Sequence, residues 1–186
     1  MAGKTSPSTR FLPGYTFYER HEGPVLRASP ERIIDAVASL DMRADPVIDR
    51  LLRVREWPRR LATRMRGTTH DSFGFGTFTL LHRDECELSL GLLGRFWRPD
   101  LGLLAVADVE EFLTSGPSDA ARLVLRFRVE VPAKGDARLV TETFVHCPSW
   151  SVKAMMTPYW FAIRASSGWI RRRTLAMIAK ALAAQQ

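Results

Sequence analysis

The spacing of apolar and polar positions changes period three times along the chain. YTFYERHE, residues 15–22, alternates in twos and is rich in aromatics, which predicts a strand. Gly23-Pro24 interrupts it, and VLRA resumes it past a bulge or bend. At SPERIIDAVASL the period lengthens to that of a helix. Ser29 stands as N-cap and Pro30 at the first helical position, Glu31 and Asp35 lie in the early turns, and Ile33, Ile34, Val37 and Leu40 share one face. A second helix is predicted from Asp45-Pro46 through Val47, Leu51, Leu52 and Val54, ended or kinked by Pro58 before RRLATRMR.

From residue 72 the period of two returns. SFGFGTFTLLH, CELSLGLL and the short DVEEFLT read as strands, and the second of them runs into Gly94-Arg95-Phe96-Trp97. ARLVLRFRVEV alternates most clearly. Leu123, Leu125, Phe127, Val129 and Val131 point one way, and Arg122, Val124, Arg126, Arg128 and Glu130 the other. PAKGD is a hairpin loop from which ARLVTETFVH pairs back. That strand carries Leu139, Thr141, Thr143 and Val145 on one face and Val140, Glu142, Phe144 and His146 on the other.

The remainder, from Ser149 onward, reads as one long helix. Val152, Met156, Tyr159, Trp160, Ile163, Ile170, Met177, Ile178 and Ala181 form a stripe when placed at about 100° per residue, with Arg164 and Arg171 to Arg173 outside it. Pro158 is expected to kink this helix or to mark a new start capped by Thr157, and Ser166-Ser167-Gly168 to loosen its middle. The pattern predicts an α+β fold: a curved antiparallel sheet of about six to seven strands wrapped around a long C-terminal helix, with two or three short helices after the first strand. Residues 1–13 read as a flexible N-terminus and 14–186 as one domain.

Composition adds mainly exclusions. The net charge is +7, and arginine outnumbers lysine 23 to 4. Its two clusters, at residues 59–66 and 171–173, stop short of a basic arm, and no finger, basic zipper or RNA-recognition signature is present. The expectation is therefore no nucleic-acid partner. No apolar run suits a signal peptide or a membrane span, so a cytoplasmic protein without stable membrane insertion is expected. Cys86 and Cys147 read as two buried free thiols. His21, His70, His82 and His146 are scattered, and nucleotide, zinc-protease and nucleophile-elbow motifs are missing, so neither metal nor cofactor is expected.

Three motifs carry a resemblance: ELSLGLLGRFWRP at 87–99, TETFV at 141–145 and YWFAIRASSGWIRRRTL at 159–175. They resemble the START-like (SRPBCC) helix-grip superfamily of lipid-transfer domains, aromatase/cyclases and pollen-allergen relatives, and more narrowly a bacterial branch of it. The likeness spans roughly residues 14–184. Phe144 stands where that strand motif carries arginine, and Pro158 interrupts what is elsewhere continuous helix.

The resemblance implies a space between sheet and terminal helix that holds a hydrophobic or amphipathic small molecule of the lipid, polyketide or terpenoid class. Its expected lining is Phe75, Phe96, Trp97, Phe127, Tyr159, Trp160 and Ile163, with Glu142 and Thr143 as polar anchors. Each has a plainer reading. The aromatics serve equally as core, and Glu142 can pair with Arg126 or Arg128 on the outer face of the sheet. An aromatase/cyclase-like enzyme using Glu142, His21 or Tyr159 is the rival, and requires two convergent ionisable groups inside. A packed interaction module docking an acidic partner through its arginines is the third reading.

Overall fold

The computed structural model describes residues 8–40, 77–114, 116–131 and 137–183. The predicted helix at 45–54, the RRLATRMR segment, Phe75 and the PAKGD loop lie outside them. The described chain is α+β, with six antiparallel strands and a long C-terminal helix.

Strand β1 (Phe17–Leu26) keeps its pairing through Gly23-Pro24 by shifting register between Glu22 and Val25, the irregularity predicted there. Helix α1 (Pro30–Ala38) starts as its sequence dictates: Ser29 Oγ accepts from the Arg32 amide at 3.5 Å, with Pro30 in the first turn. Nine residues cannot hold a helix alone in water. Ile33, Ile34 and Val37 are buried instead, each contributing on the order of 1.5–3 kcal/mol of transfer free energy.

Strands β2 (Thr79–Arg83), β3 (Glu87–Gly94), β4 (Leu103–Leu104), β5 (Ala121–Glu130) and β6 (Ala137–His146) complete a sheet of order β1-β6-β5-β3-β2. β4 pairs with the end of β3. DVEEFLT is not the predicted strand but helix α2 (Val109–Thr114). Asp108 Oδ1 accepts from the Glu111 amide at 2.9 Å, and the Glu111 carboxylate reaches back to the Ala107 amide at 2.6 Å. That reciprocal cap overrides the short run's alternation.

Helix α3 (Trp150–Ala183) is unbroken. Pro158 neither ends it nor restarts it, and Thr157 bonds back to the Lys153 carbonyl at 2.7 Å rather than capping a new helix. Pro158 and Ala154 are both exposed, so the Ala154 carbonyl that lacks a helical donor faces water. The buried face also differs from the predicted stripe. Val152, Met156 and Trp160 are buried early, then Gly168, Leu175, Ile178 and Leu182, while Ala181 is exposed. The contact face thus rotates by roughly 80° between the halves of the helix. Arg171 is thereby turned inward.

Both faces of the sheet are covered. On one, Leu88, Leu90, Phe127, Val129 and Leu139 pack against α1 and the C-terminal half of α3, while Leu92, Val145 and Phe96 pack against its N-terminal half. On the other, Val124 and Phe144 pack against Phe112 of α2 and against Phe11 and Leu12. The terminal stretch expected to be loose is thus anchored at residues 11 and 12.

Candidate functional site

Alternation along the strands decides which side chains face α3. On β1 these are Phe17, Glu19 and His21; on β6 they are Thr141, Thr143 and Val145. The β1–β6 register sets Glu19 opposite Thr143 and His21 opposite Thr141. Phe17 stacks on Trp160 of α3 with centroids 5.3 Å apart and planes at 24°. Six residues along β1, Gly23 meets Leu175, where an added Cβ would lie 3.4 Å from its Cδ2. Six strand residues and fifteen helical ones each span about 20 Å, so α3 runs alongside β1 in the same direction.

Between those apolar ends lies a polar band. Gly168 sits against it: a Cβ there would come within 3.1 Å of His21 Cε1 and 3.6 Å of Glu19 Oε1. Arg164 and Arg171, four residues before and three after Gly168, occupy the same helix face. Glu19 is buried and meets both loosely, Arg164 Nε at 3.6 Å and Arg171 Nη1 at 3.5 Å. His21 Nε2 is buried and lies within ion-pair distance of Glu19 Oε1, at 3.3 Å, without forming a hydrogen bond. Thr141 Oγ1 and Thr143 Oγ1 are buried and unpartnered too.

Burial, then the Arg171 charge, holds the His21 pKa below the ordinary imidazole value against the opposing pull of Glu19. Burial likewise lowers Arg171 to about 10. The band therefore combines a neutral imidazole, two free hydroxyls, one carboxylate and two guanidiniums. An unpartnered buried polar group costs about 1–3 kcal/mol, and three such atoms lie along this stretch of β1 and β6.

The predicted site residues separate into several environments. Thr143 belongs to the band. Trp160 and Phe96 are buried in one apolar cluster, with Trp97 and Tyr159 half-buried against it. Ile163 is half-buried on α3, and Phe127 lies in the cluster shared with α1. The Phe96-Trp97 turn is held by an Arg98 amide bond to the Arg95 carbonyl at 2.8 Å and by Arg95 gripping Asp119 at 2.9 and 3.0 Å. Leu101 in the same loop adopts φ +61°, its buried side chain fixing a conformation that non-glycine residues avoid.

Comparison with known proteins adds no identity. No family model, curated protein or solved structure matches this chain.

Glu142 corrects an expectation. It lies on the face away from α3, buried beneath Tyr18, whose hydroxyl donates to it at 2.6 Å, and bound by Arg126 Nε and Nη2 at 2.9 and 2.7 Å. It is a structural ion pair, separated from the band by the thickness of the sheet. Glu19, Arg164 and Arg171 were missed. Glu19 had a local signal, since it is a charged residue in phase with Phe17 and His21; the arginines had none. A cleft of about 460 Å³ at the opposite sheet edge, beside β2, β4 and Asp108, is a separate feature, and the Thr79 hydroxyl there is already bonded to the Val106 carbonyl at 2.9 Å. Among the described residues no cluster of His, Cys, Asp or Glu suits a metal ion, and no helix is long and apolar enough to cross a membrane.

Proposed function

We propose that this chain binds a hydrophobic or amphipathic small molecule, of the lipid, polyketide or terpenoid class, between the sheet and α3. The observation that carries the reading is the set of three buried, unpartnered polar atoms on His21, Thr141 and Thr143. They lie midway along a helix–sheet contact that is apolar at both ends, with Phe17 and Trp160 at one end and Leu139 and Leu175 at the other. An apolar body with one polar group fits such a division, as binding sites commonly combine apolar walls with few polar anchors. The likeness to the helix-grip superfamily supports the same reading by analogy of fold. These buried atoms have almost no accessible surface, so loading requires α3 to shift away from β1.

Native mass spectrometry of the freshly purified protein, with solvent extraction of anything retained, tests this. A discrete adduct of a few hundred daltons is expected. A ligand-free mass across several expression hosts, with no uptake of added alkanols or fatty acids, would contradict it and favour a packed interaction module.

One observation favours a second reading, an aromatase/cyclase-like enzyme. Glu19 and His21 are convergent ionisable groups 3.3 Å apart on the helix-facing side. A neutral imidazole beside a carboxylate is equipped to take a proton from a bound substrate. Turnover of a polyketide-type substrate lost in His21→Gln, with binding retained, would establish this role.

A further inference from the structure

Resting on the reading of the interior as a container, we infer that its polar band is a subsite for the carboxylate head of an amphipathic ligand, formed by Thr141, Thr143, His21 and Arg171. Charge is the first ground. Glu19 faces both Arg164 and Arg171 across 3.5–3.6 Å, so the set carries one cationic charge in excess, with the Arg171 side chain 15% exposed and that of Arg164 56%. A second carboxylate balances the set. Hydrogen bonding is the second ground. The three unpartnered atoms belong to cross-strand neighbours, His21 opposite Thr141 and Thr143 two residues on. Residues two apart on a strand are separated by about 7 Å, a distance the two oxygens of one carboxylate bridge with a hydrogen bond of ~2.7 Å at each end. Size is the third. The three atoms have almost no accessible surface, so a compact head suits them better than a large zwitterionic one.

Isothermal titration calorimetry of the whole protein with dodecanoate and with 1-dodecanol, both below their aggregation limits, separates head from tail. Dodecanoate is expected to bind at least about tenfold tighter, because its hydrogen bonds are charge-assisted. Arg171→Met should abolish the preference. Thr143→Val, which alters only one hydroxyl, should weaken dodecanoate about threefold or more and raise the melting temperature of the ligand-free protein, since it deletes an unpartnered polar atom. Equal affinity for the two ligands overturns the carboxylate subsite while leaving the container reading intact. A preference that survives both variants also overturns it. Failure of both ligands to bind overturns both readings.

Discussion

Replacing Glu142 by glutamine should destabilise the fold without touching ligand binding. The Glu142 side chain is 2% exposed and that of Arg126 12%, with 2.7 Å between them. Removing one partner of a buried pair strands the other's charge, a change that costs about 3–5 kcal/mol. Here the stranded guanidinium keeps its position over the Phe144 ring, 5.0 Å from the centroid, and glutamine can still accept from Tyr18. We therefore place the loss near the lower end, at about 3 kcal/mol. For a chain of this size that lowers Tm by roughly 6–12 °C. Urea unfolding followed by tryptophan fluorescence measures the loss directly, with an unchanged denaturant slope expected.

Tyr18 supplies an independent readout of the same change. Burial first, and then the Glu142 hydrogen bond and charge, raise its pKa above the ordinary tyrosine value. A raised folded-state pKa means stability that is fully present below about pH 10 and lost as the unfolded chain ionises above it. In Glu142→Gln, tyrosinate absorbance should show Tyr18 ionising at lower pH. A loss below about 1 kcal/mol would refute the structural role. Normal stability with ligand binding abolished would return Glu142 to the site.

Other consequences are more local. Gly91→Ala sets a Cβ 2.8 Å from Phe112 Cε2 and 3.0 Å from Leu81, so a loss of about 1–3 kcal/mol is expected from overpacking, measured by urea unfolding. His21, held neutral by burial and Arg171, contributes stability present above about pH 6.5 and lost as pH falls through its lower folded-state pKa; His21→Gln should flatten that part of the stability profile. Cys86 is exposed, against expectation, whereas burial raises the Cys147 thiol. A disulfide reagent at pH 8 should therefore label one thiol per folded chain rapidly and the second only on unfolding.

Much of the architecture was legible because strand alternation is a local property. β5 and β6 read correctly to the face: Leu123, Leu125 and Phe127 lie on the side of α3, and Val124, Glu142 and Phe144 on the other. The cap of α1 and the irregularity at Gly23-Pro24 were equally local. The errors came where two local signals competed or where geometry accumulates over distance. Asp108 and Glu111 outweighed the alternation of DVEEFLT. On α3 a single stripe could not follow a buried face that rotates along the helix, so Arg171 was read as solvated. The band itself needs β1, β6 and α3 together, and no spacing within one segment announces it. Even so, Glu19 in phase with Phe17 was a visible violation of an apolar face, and such violations are expected at strained positions as well as at functional ones.

The location of the ligand is the central claim, and methyl NMR of threonine-labelled and valine-labelled protein tests it most directly. On titration with dodecanol or dodecanoate, the γ-methyls of Thr141 and Thr143 should shift in proportion to occupancy. The Val124 methyls, on the other face of the sheet, should stay in place. Shifts confined to Val124 and its neighbours, or saturable binding with no change at either threonine, would contradict a ligand seated between the sheet and α3.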